Sequence, residues 1–235
     1  PGAEWLLDRA DAIAGLRDDV SGFAALADRH PVVRRLARRF AGLRLPATGR
    51  VFHHGVPAVL SQKVTRDAAR RGYVGLLHRL AEPAPGPRPG LRLPPPARAV
   101  ATMPYWLLHP LGVERRRAEI LRRAALEATR LDATTEPATA ARRLTALPGV
   151  GPWTVAEVVR LAFADADVVS VGDCHLPSMV AHALVGESRA DDARMLELLE
   201  PFRGHRGRVC RLLLAAGRHA PRFGPRLTIG SIADR

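Results

Sequence analysis

The octapeptide LPGVGPWT, at residues 147–154, limits what this chain can fold into more than any other stretch. It joins the helical run PATAARRL to the apolar run VAEVVRLA. Gly149 and Gly151 permit positive φ and place no Cβ in the way, and Pro152 suits the first position of the second helix. The sequence therefore predicts two helices joined by a tight turn with bare backbone amides.

This turn has two interpretations. Amides at the positive end of a helix dipole bind a phosphate without any cationic side chain. The alternative is an ordinary corner between helices, in which a glycine only ends the first helix. Two glycines one residue apart, followed at once by a proline and a tryptophan, favour a turn that another molecule approaches closely.

Amphipathic helical patterns dominate the rest of the chain. In VERRRAEILRRAALEATRL, residues 113–131, apolar side chains fall on one face and arginines on the other, and RGRVCRLLLAAG repeats the pattern. No apolar–polar alternation persists long enough for a sheet, so we predict an all-α fold. The segment EPAPGPRPGLRLPPP, residues 82–96, is too proline-rich for a helix and predicts a loop between helical blocks.

The charge of the chain points to a polyanionic partner. Lysine and arginine number 36 against 23 aspartates and glutamates, a formal charge of +13. This excess favours an extended polyanion as partner, and the alternative is that it serves solubility alone. Only one of the 36 cations, Lys63, is a lysine.

Cysteine usage and hydropathy restrict the class of protein. Cys174 and Cys210 form neither a disulfide framework nor a C-x-x-C pair, so we expect a reducing cytoplasm and no zinc or iron–sulfur site. No apolar run reaches about 18 residues and no signal peptide is visible, so we predict no membrane span. Because the chain starts at Pro1 rather than at a methionine, we expect it to be trimmed.

LPGVGPWT resembles the helix-hairpin-helix of a superfamily of DNA glycosylases, which is defined by that hairpin, a Gly/Pro-rich loop and a downstream aspartate. The stretch DADVVSVGDCHLPSMV supplies Asp173, 22 residues after Gly151, a separation similar to that in the family. GLRLPATGRVFHHGVPAVLSQKVT and PFRGHRGRVCRLLL resemble further segments of the AlkA-like 3-methyladenine DNA glycosylase branch. The resemblance covers about Ala41 to Gly217.

The resemblance implies an all-α fold of two helical subdomains with the active cleft between them. We expect an N-terminal helical segment at 1–40, a glycosylase core at 41–217 and a C-terminal tail at 218–235. The implied partner is double-stranded DNA with a damaged base, bound by a monomer that acts in the cytoplasm at the bacterial nucleoid during base excision repair. AlkA-like enzymes also carry an N-terminal β-rich domain, and we expect little of it within this chain.

Asp173 is the candidate catalytic residue. An enzyme that excises a base must flip it out of the duplex and stabilise an oxocarbenium-like sugar while the N-glycosidic bond breaks. A carboxylate near that sugar stabilises the cation and can activate water. Asp173 also stands where it would cap the helix predicted from HLPSMVAHALV, and both roles are compatible.

Four residues are candidates for the base pocket. Trp153 occupies the place where bifunctional relatives carry the lysine that attacks the sugar, so the resemblance implies excision without a lyase step. Trp153 either stacks on the flipped base or is a core residue. Tyr105 and Trp106 in MPYWLLHP are further candidates for a pocket wall. His175 either orients the sugar or water, or bonds to the local backbone.

The resemblance also assigns contacts with DNA and a possible ion. In the hairpin the predicted DNA-binding residues are Gly149, Val150, Gly151 and Thr154. Gln62 and Lys63 join them, and Lys63 stands where relatives often carry an apolar wedge that fills the gap left by the flipped base. Main-chain carbonyls of Thr145, Leu147 and Val150 are expected to hold a Na⁺ or K⁺ ion.

The predicted activity is monofunctional excision of alkylated bases of the 3-methyladenine and 7-methylguanine type, with no cofactor. Cationic alkylpurines are already good leaving groups, so one aspartate and an aromatic surface suffice without a general acid. The alternatives are a helix-hairpin-helix protein that binds DNA without catalysis, and a glycosylase for another lesion.

Overall fold

A computed structural model describes residues 2–221 of the chain. The predicted all-α fold is confirmed. Within these residues all regular secondary structure is helical, apart from an isolated antiparallel bridge between Pro83 and Arg92. From residue 222 onward, the tail predicted at 218–235 lies outside the described residues. None of the described helices combines the length and the apolar character that a membrane crossing requires.

The chain divides into two compact units. The terminal unit consists of residues 2–48 and 159–221, and the central unit consists of residues 49–158. The terminal unit begins with four helices: α1 (Gly2–Leu7), α2 (Ala10–Ile13), α3 (Phe23–Ala27) and α4 (Pro31–Arg39). The central unit contains seven: α5 (Val51–Leu60), α6 (Arg66–Leu80), α7 (Ala97–Thr102), α8 (Tyr105–Leu108), α9 (Arg115–Leu126), α10 (Ala128–Asp132) and α11 (Pro137–Thr145).

The remaining helices complete the terminal unit. Helix α12 (Pro152–Ala162) starts in the central unit and ends in the terminal unit. It is followed by α13 (Leu176–Val185), α14 (Asp192–Leu199) and α15 (Arg206–Ala215). Short 3-10 turns follow α8 at His109–Leu111 and α14 at Glu200–Phe202.

The core of the terminal unit is aliphatic with two phenylalanines. Helix α13 packs against α4, α14 and α15, and its apolar side chains recur at helical spacing on one face. Cys210 lies in this core and behaves as a small apolar side chain. The buried members of the cluster are Phe23, Ala27, Val33, Leu36, Leu176, Met179, Val180, Leu184, Met195, Leu199, Phe202, Val209, Cys210, Leu212 and Leu213.

A buried ion pair ties the two ends of the terminal unit together. Arg208 of α15 donates from Nη1 to Asp18 Oδ2 at 2.9 Å and from Nη2 to Asp18 Oδ1 at 2.6 Å, and each side chain is only 2% exposed. Asp18 Oδ2 also accepts from the Leu45 amide at 3.0 Å. Because the pairing is bidentate and further hydrogen-bonded, the cost of burying the two charges is offset.

In the central unit, α9 packs against α5 and α7. The predicted amphipathic pattern is present, since Ile120, Leu121, Ala124 and Ala125 are all buried. Arg117 on the same helix is also buried, and it donates to the carbonyl oxygens of residues 60 and 112 at 2.8 and 2.9 Å. Burial lowers the pKa of this guanidinium from its usual value.

The proline-rich segment contains no helix and connects α6 to α7 inside the central unit. Its two arms pair briefly, because the Ala84 amide donates to Leu91 O at 2.8 Å next to the Pro83–Arg92 bridge. Arg92 also donates from Nη1 to Ala81 O at 2.8 Å. These side-chain and main-chain hydrogen bonds hold the two arms of the segment together, although its prolines exclude a helix or a regular strand.

Candidate functional site

The hairpin predicted from LPGVGPWT is present. Helix α11 ends at Thr145 and α12 begins at Pro152. Proline is favoured at the first position of a helix because the N–H that it lacks has no partner there. Inside the turn the Val150 amide donates to Leu147 O at 3.0 Å. The first turn of α12 closes with the Val155 amide donating to Gly151 O, also at 3.0 Å.

The two hairpin glycines have different structural roles. Gly149 has φ of 94°, and a Cβ there would lie 2.6 Å from Cδ1 of the buried Ile120. Gly151 does not have a positive φ, and a Cβ there would meet no described heavy atom within 4 Å. Gly149 is therefore required by the fold, whereas the missing side chain at Gly151 leaves open space beside the start of α12.

Gln62 binds to the hairpin, and Thr154 of the hairpin is one of its two partners. Gln62 Nε2 donates to Thr154 Oγ1 at 2.8 Å and to Gly149 O at 3.2 Å, which fastens the end of α5 to the turn. Thr154 is 3% exposed and Val150 is 7% exposed. We predicted all of these as DNA-binding residues, but the Thr154 side chain lies in the interior, where its hydroxyl has the Gln62 amide as its partner.

Lys63 lies directly beside Gln62 but is exposed. It belongs to the turn between α5 and α6 and has φ of 54°, a left-handed conformation that costs a residue with a Cβ about 1 kcal/mol or more. The neighbouring Thr65 caps α6 by accepting from the Ala68 amide at 3.2 Å. The two predicted DNA-binding side chains of this turn therefore differ: Gln62 is engaged by the hairpin and Lys63 is presented to solvent.

The cation site expected at Thr145, Leu147 and Val150 stays a prediction. Leu147 O already accepts from the Val150 amide, and a carbonyl oxygen has a second lone pair for an ion. The Thr145 hydroxyl donates to Ala141 O at 2.9 Å, within its own helix. Among residues 2–221, no group of three or more His, Cys, Asp or Glu side chains is arranged to hold a metal ion.

The aromatic candidates lie on two helices. Trp153 is half-buried in the first turn of α12. Tyr105 on α8 packs its ring edge against His109, with centroids 5.7 Å apart and an interplanar angle of 72°. Trp106, the next residue, is 71% exposed. A large aromatic side chain in water is a candidate for ligand contact, because its burial would be favourable.

The loop that carries Asp173 lies in the terminal unit, just before α13. Gly172 turns the chain with φ of 90°. Asp173 Oδ1 then accepts from the amides of His175 at 2.8 Å and Leu176 at 2.9 Å. Asp173 therefore caps the start of α13 by these two bonds, although it lies two residues before the N-cap position, His175, whose side chain is exposed. These bonds to amides of a helix start fix the position of the carboxylate.

Asp192 supports this loop, and sequence analysis missed it. It is the first residue of α14, and its Oδ2 accepts from the Gly172 amide at 3.0 Å. Its Oδ1 is buried and has no hydrogen-bond partner in the described part of the chain. The neighbouring Asp191 caps α14 itself by accepting from the Arg194 amide at 2.9 Å. Two adjacent aspartates favour a helix start, but no local pattern distinguishes the role of Asp192 from that of Asp191.

A second carboxylate holds the chain that leads into the Asp173 loop. Asp167 Oδ1 accepts from the amides of Gly204 at 2.8 Å and Arg206 at 3.0 Å, and the Arg206 guanidinium pairs with both of its oxygens. Burial opposes ionisation, but the bonds from Arg206 outweigh it and lower the pKa of Asp167. Its charge therefore stabilises the fold at neutral pH, and that contribution is lost as pH falls below about 4.

Close packing joins the same loop to α15. A Cβ at Gly207 would lie 2.4 Å from Val168 O and 3.0 Å from Ala166 O, so only glycine fits. The Arg208 amide donates to Ala166 O at 2.8 Å. The motif GHRGR in the sequence thus has a structural reason: it lets α15 start directly against the segment that precedes Asp173.

Cys174 follows the candidate carboxylate and reports on its charge. Partial burial raises the pKa of the Cys174 thiol, and the negative charge of Asp173 raises it further. Burial raises the pKa of Cys210 to about 12. Both thiols are therefore held protonated at neutral pH.

Comparison with known proteins shows similarity in structure only. No protein-family model matches the chain, and no curated protein sequence matches it. A 3-methyladenine DNA glycosylase from Archaeoglobus fulgidus superposes with a TM-score of 0.73 at 21% identity, over 92% of this chain and 76% of the other. An 8-oxoguanine glycosylase/lyase from Clostridium acetobutylicum, solved with double-stranded DNA, gives 0.69 at 13% identity over 91% and 75%.

A third solved structure is similar over most of its own length. The 3-methyladenine DNA glycosylase of Schizosaccharomyces pombe, solved in complex with abasic DNA, gives a TM-score of 0.65 at 17% identity, over 80% of this chain and 92% of the other. Identities this low establish the architecture rather than the chemistry. Together with the observed hairpin, they show that this chain has the helix-hairpin-helix DNA glycosylase fold.

Proposed function

We propose that this protein is a DNA glycosylase that excises alkylated bases without a lyase step. The observation that carries the proposal is a carboxylate fixed by two helix-start amides, Asp173, which follows an open glycine hairpin by 22 residues in a glycosylase fold. The solved structures with this fold include proteins described as acting on damaged bases and as bound to DNA.

The hairpin is proposed to bind the DNA backbone. A Cβ at Gly151 would meet no described heavy atom within 4 Å, so the space beside the start of α12 is open, and the first amides of that helix carry the positive end of its dipole. Amide-to-phosphate contacts hold a duplex in position but carry no information about the bases. Lys63, exposed in the α5–α6 turn, is proposed to contact the DNA at the place where relatives carry an apolar wedge.

Asp173 is proposed to stabilise the sugar cation. As the bond between the sugar C1′ and the base nitrogen breaks, the bonding electrons leave with the base and positive charge develops on the sugar ring. A carboxylate held in place by the His175 and Leu176 amides needs no reorganisation to stabilise that charge. Water then adds at C1′ and loses a proton, which leaves an abasic site.

The preference for alkylated purines rests on leaving-group chemistry. An N3- or N7-alkylated purine is cationic and departs as a neutral base, so no general acid is required at the base. Aromatic side chains attract a cationic ring, and Trp153, Tyr105 and Trp106 are the candidates for that contact. Two of the similar structures are described as 3-methyladenine glycosylases, whereas a third is described as acting on 8-oxoguanine.

The absence of a lyase step rests on Trp153. An amine must attack the sugar to form a Schiff base, and Trp153 stands where bifunctional relatives carry that lysine. Lys63 is the only lysine of the chain, and it lies 90 residues before Trp153 in the sequence. We further propose that the protein acts as a monomer, and that a monovalent cation binds the hairpin carbonyls.

The proposal is tested by single-turnover base release from matched duplexes that carry 3-methyladenine, 7-methylguanine, 8-oxoguanine or an undamaged base. We expect release of the two alkylated bases, and no covalent adduct when borohydride is added. Release of 8-oxoguanine alone would reassign the lesion, and a Lys63-dependent adduct would contradict the monofunctional mechanism. Tight DNA binding with no release from any duplex would favour the non-catalytic DNA-binding alternative.

A further inference from the structure

The terminal unit has a groove that none of the candidate site residues lines. It has a volume of about 390 Å³ and lies between α3, α4, residues 41–44 and α15. Its apolar lining includes Phe23, Ala27, Phe40 and Leu212. A volume of this size accommodates one or two large side chains of a ligand.

The rim of the groove is strongly basic. Arg34 and Arg38 are one turn apart on α4, Arg44 lies on the following segment, and the acidic lining residue is Asp28. All three arginines are exposed, and within residues 2–221 none of them forms an ion pair with a carboxylate. Arg44 donates only to main-chain carbonyls of its own segment. The groove thus combines an apolar floor with guanidinium groups that lack counterions.

The apolar floor and the basic rim together favour an acidic peptide over a nucleic acid as the ligand of this groove. A DNA duplex presents hydrated phosphates at its surface and keeps its bases stacked inside, so its backbone places no apolar group on the floor of the groove. A peptide segment supplies both kinds of group, because its carboxylates pair with guanidinium forks while an apolar side chain is buried beneath them. Charge complementarity also speeds the encounter with a protein whose overall charge is +13.

We propose that this groove is a docking site for an acidic peptide segment of a partner protein, one that carries a bulky apolar side chain next to its carboxylates. Arg34 and Arg38 bind the carboxylates, and the apolar side chain enters between Phe23 and Phe40. The site is independent of base excision, because it requires neither the hairpin nor the Asp173 loop.

Helix α4 and helix α3 provide matched controls. Arg35 is exposed on α4 beside Arg34, but it does not line the groove, so Arg35→Glu makes the same change of charge outside the site. Ala24 lines the groove and is exposed, whereas its exposed neighbour Ala25 does not line it. Ala24→Trp therefore fills the groove without any change of charge, and Ala25→Trp is its control.

The test is fluorescence anisotropy with a fluorescein-labelled synthetic peptide that contains four aspartates followed by leucine and phenylalanine. We expect saturable binding that Arg34→Glu, Arg38→Glu and Ala24→Trp each weaken about tenfold or more, while Arg35→Glu and Ala25→Trp change it less than about threefold. Replacing the leucine and phenylalanine by glycine should weaken binding by a similar factor. Melting curves check that each variant is folded.

Three results would overturn the proposal. The first is no saturable binding of the peptide at concentrations up to about 1 mM, the range of weak contacts. The second is an equal loss with Arg35→Glu and Arg38→Glu, which would show general attraction to a basic surface. The third is displacement of the peptide by a twelve-nucleotide thymidine strand that binds the wild type more tightly, which would make this surface a nucleic-acid contact.

Discussion

The hairpin and the Asp173 loop differ in the part of a residue that supplies the candidate functional group: the backbone in the hairpin and a side chain in the loop. In the hairpin the candidate groups are backbone amides, and the side chains of Val150, Thr154 and Gln62 hold the turn together. In the Asp173 loop the candidate group is a side chain, and that same side chain caps a helix. In the hairpin, different groups therefore stabilise the fold and offer contacts to a ligand. In the Asp173 loop, one carboxylate does both.

This difference determines which substitutions are informative. In the hairpin, most side-chain changes alter stability and leave the amides in place, so only the open position at Gly151 addresses binding directly. At Asp173 any truncation removes the cap together with the charge. A substitution there has to keep the hydrogen-bond acceptor and remove only the charge.

The largest effect is expected for Asp173→Asn. The amide oxygen still accepts from the His175 and Leu176 amides, so the variant should fold. Loss of the charge should cost about 3 kcal/mol of transition-state stabilisation, roughly a hundredfold in single-turnover base release, with DNA binding kept. A well-folded variant that releases bases at nearly the wild-type rate would reduce Asp173 to a capping residue.

The two hairpin glycines should respond differently to alanine. Gly149→Ala places a Cβ against Ile120 at a positive φ, and we expect it to lower the free energy of unfolding by about 2 kcal/mol. Gly151→Ala should leave Tm nearly unchanged and weaken binding to every DNA sequence alike, by about threefold to tenfold. Melting curves and salt-controlled titrations measure the two effects. Equal changes in Tm would mean that Gly151 also serves the fold.

Asp192→Ala tests whether the Asp173 carboxylate needs support. Without the bond to the Gly172 amide the loop is less restrained, and we expect single-turnover release to fall about fivefold, equivalent to about 1 kcal/mol. Asp191→Ala is the control, because it removes a cap from the same helix but leaves Gly172 held. If both variants lose the same stability and the same activity, Asp192 acts on the fold alone.

The smallest effect is expected at the Cys174 thiol. Asp173→Asn removes a negative charge that raises the pKa of Cys174, so a larger fraction of the thiol ionises at pH 7.5. Alkylation by iodoacetamide should become about twofold faster, because the thiolate is the reactive form. Cys210, with its pKa raised to about 12, should stay unmodified in both proteins. An unchanged rate at Cys174 would mean that the Asp173 carboxylate does not influence the thiol.

Local sequence patterns predicted the elements of the candidate site, and contacts across the chain determined its details. The hairpin, the amphipathic α9 and the capping by Asp173 follow from spacings within a few residues, where periodicity and capping preferences act. That Gln62 bonds to a turn 87 residues away, and that Asp192 holds Gly172, depends on how helices pack. Packing is decided by the summed contacts of a core, which no short pattern encodes.

The same reason explains why Gly149 and Gly151 looked alike in sequence. Both are glycines in one turn, but only Gly149 has positive φ and faces Ile120, a residue of another helix. The difference between the two glycines depends on the packing of α9 against the other helices of the central unit. Thr154 is a different case, since the resemblance assigned it a contact with DNA and the fold buries its side chain.

The buried pair of Asp18 and Arg208 has a consequence for biosynthesis. The two residues are 190 positions apart, so Asp18 leaves the ribosome long before its partner is made. Residues 49–158 of the central unit form one continuous stretch, and they all leave the ribosome before α15 does. Domains generally fold as units during synthesis. The terminal unit is therefore completed after residues 49–158 of the central unit, and a nascent chain that stops before Arg208 cannot form the pair that holds Asp18.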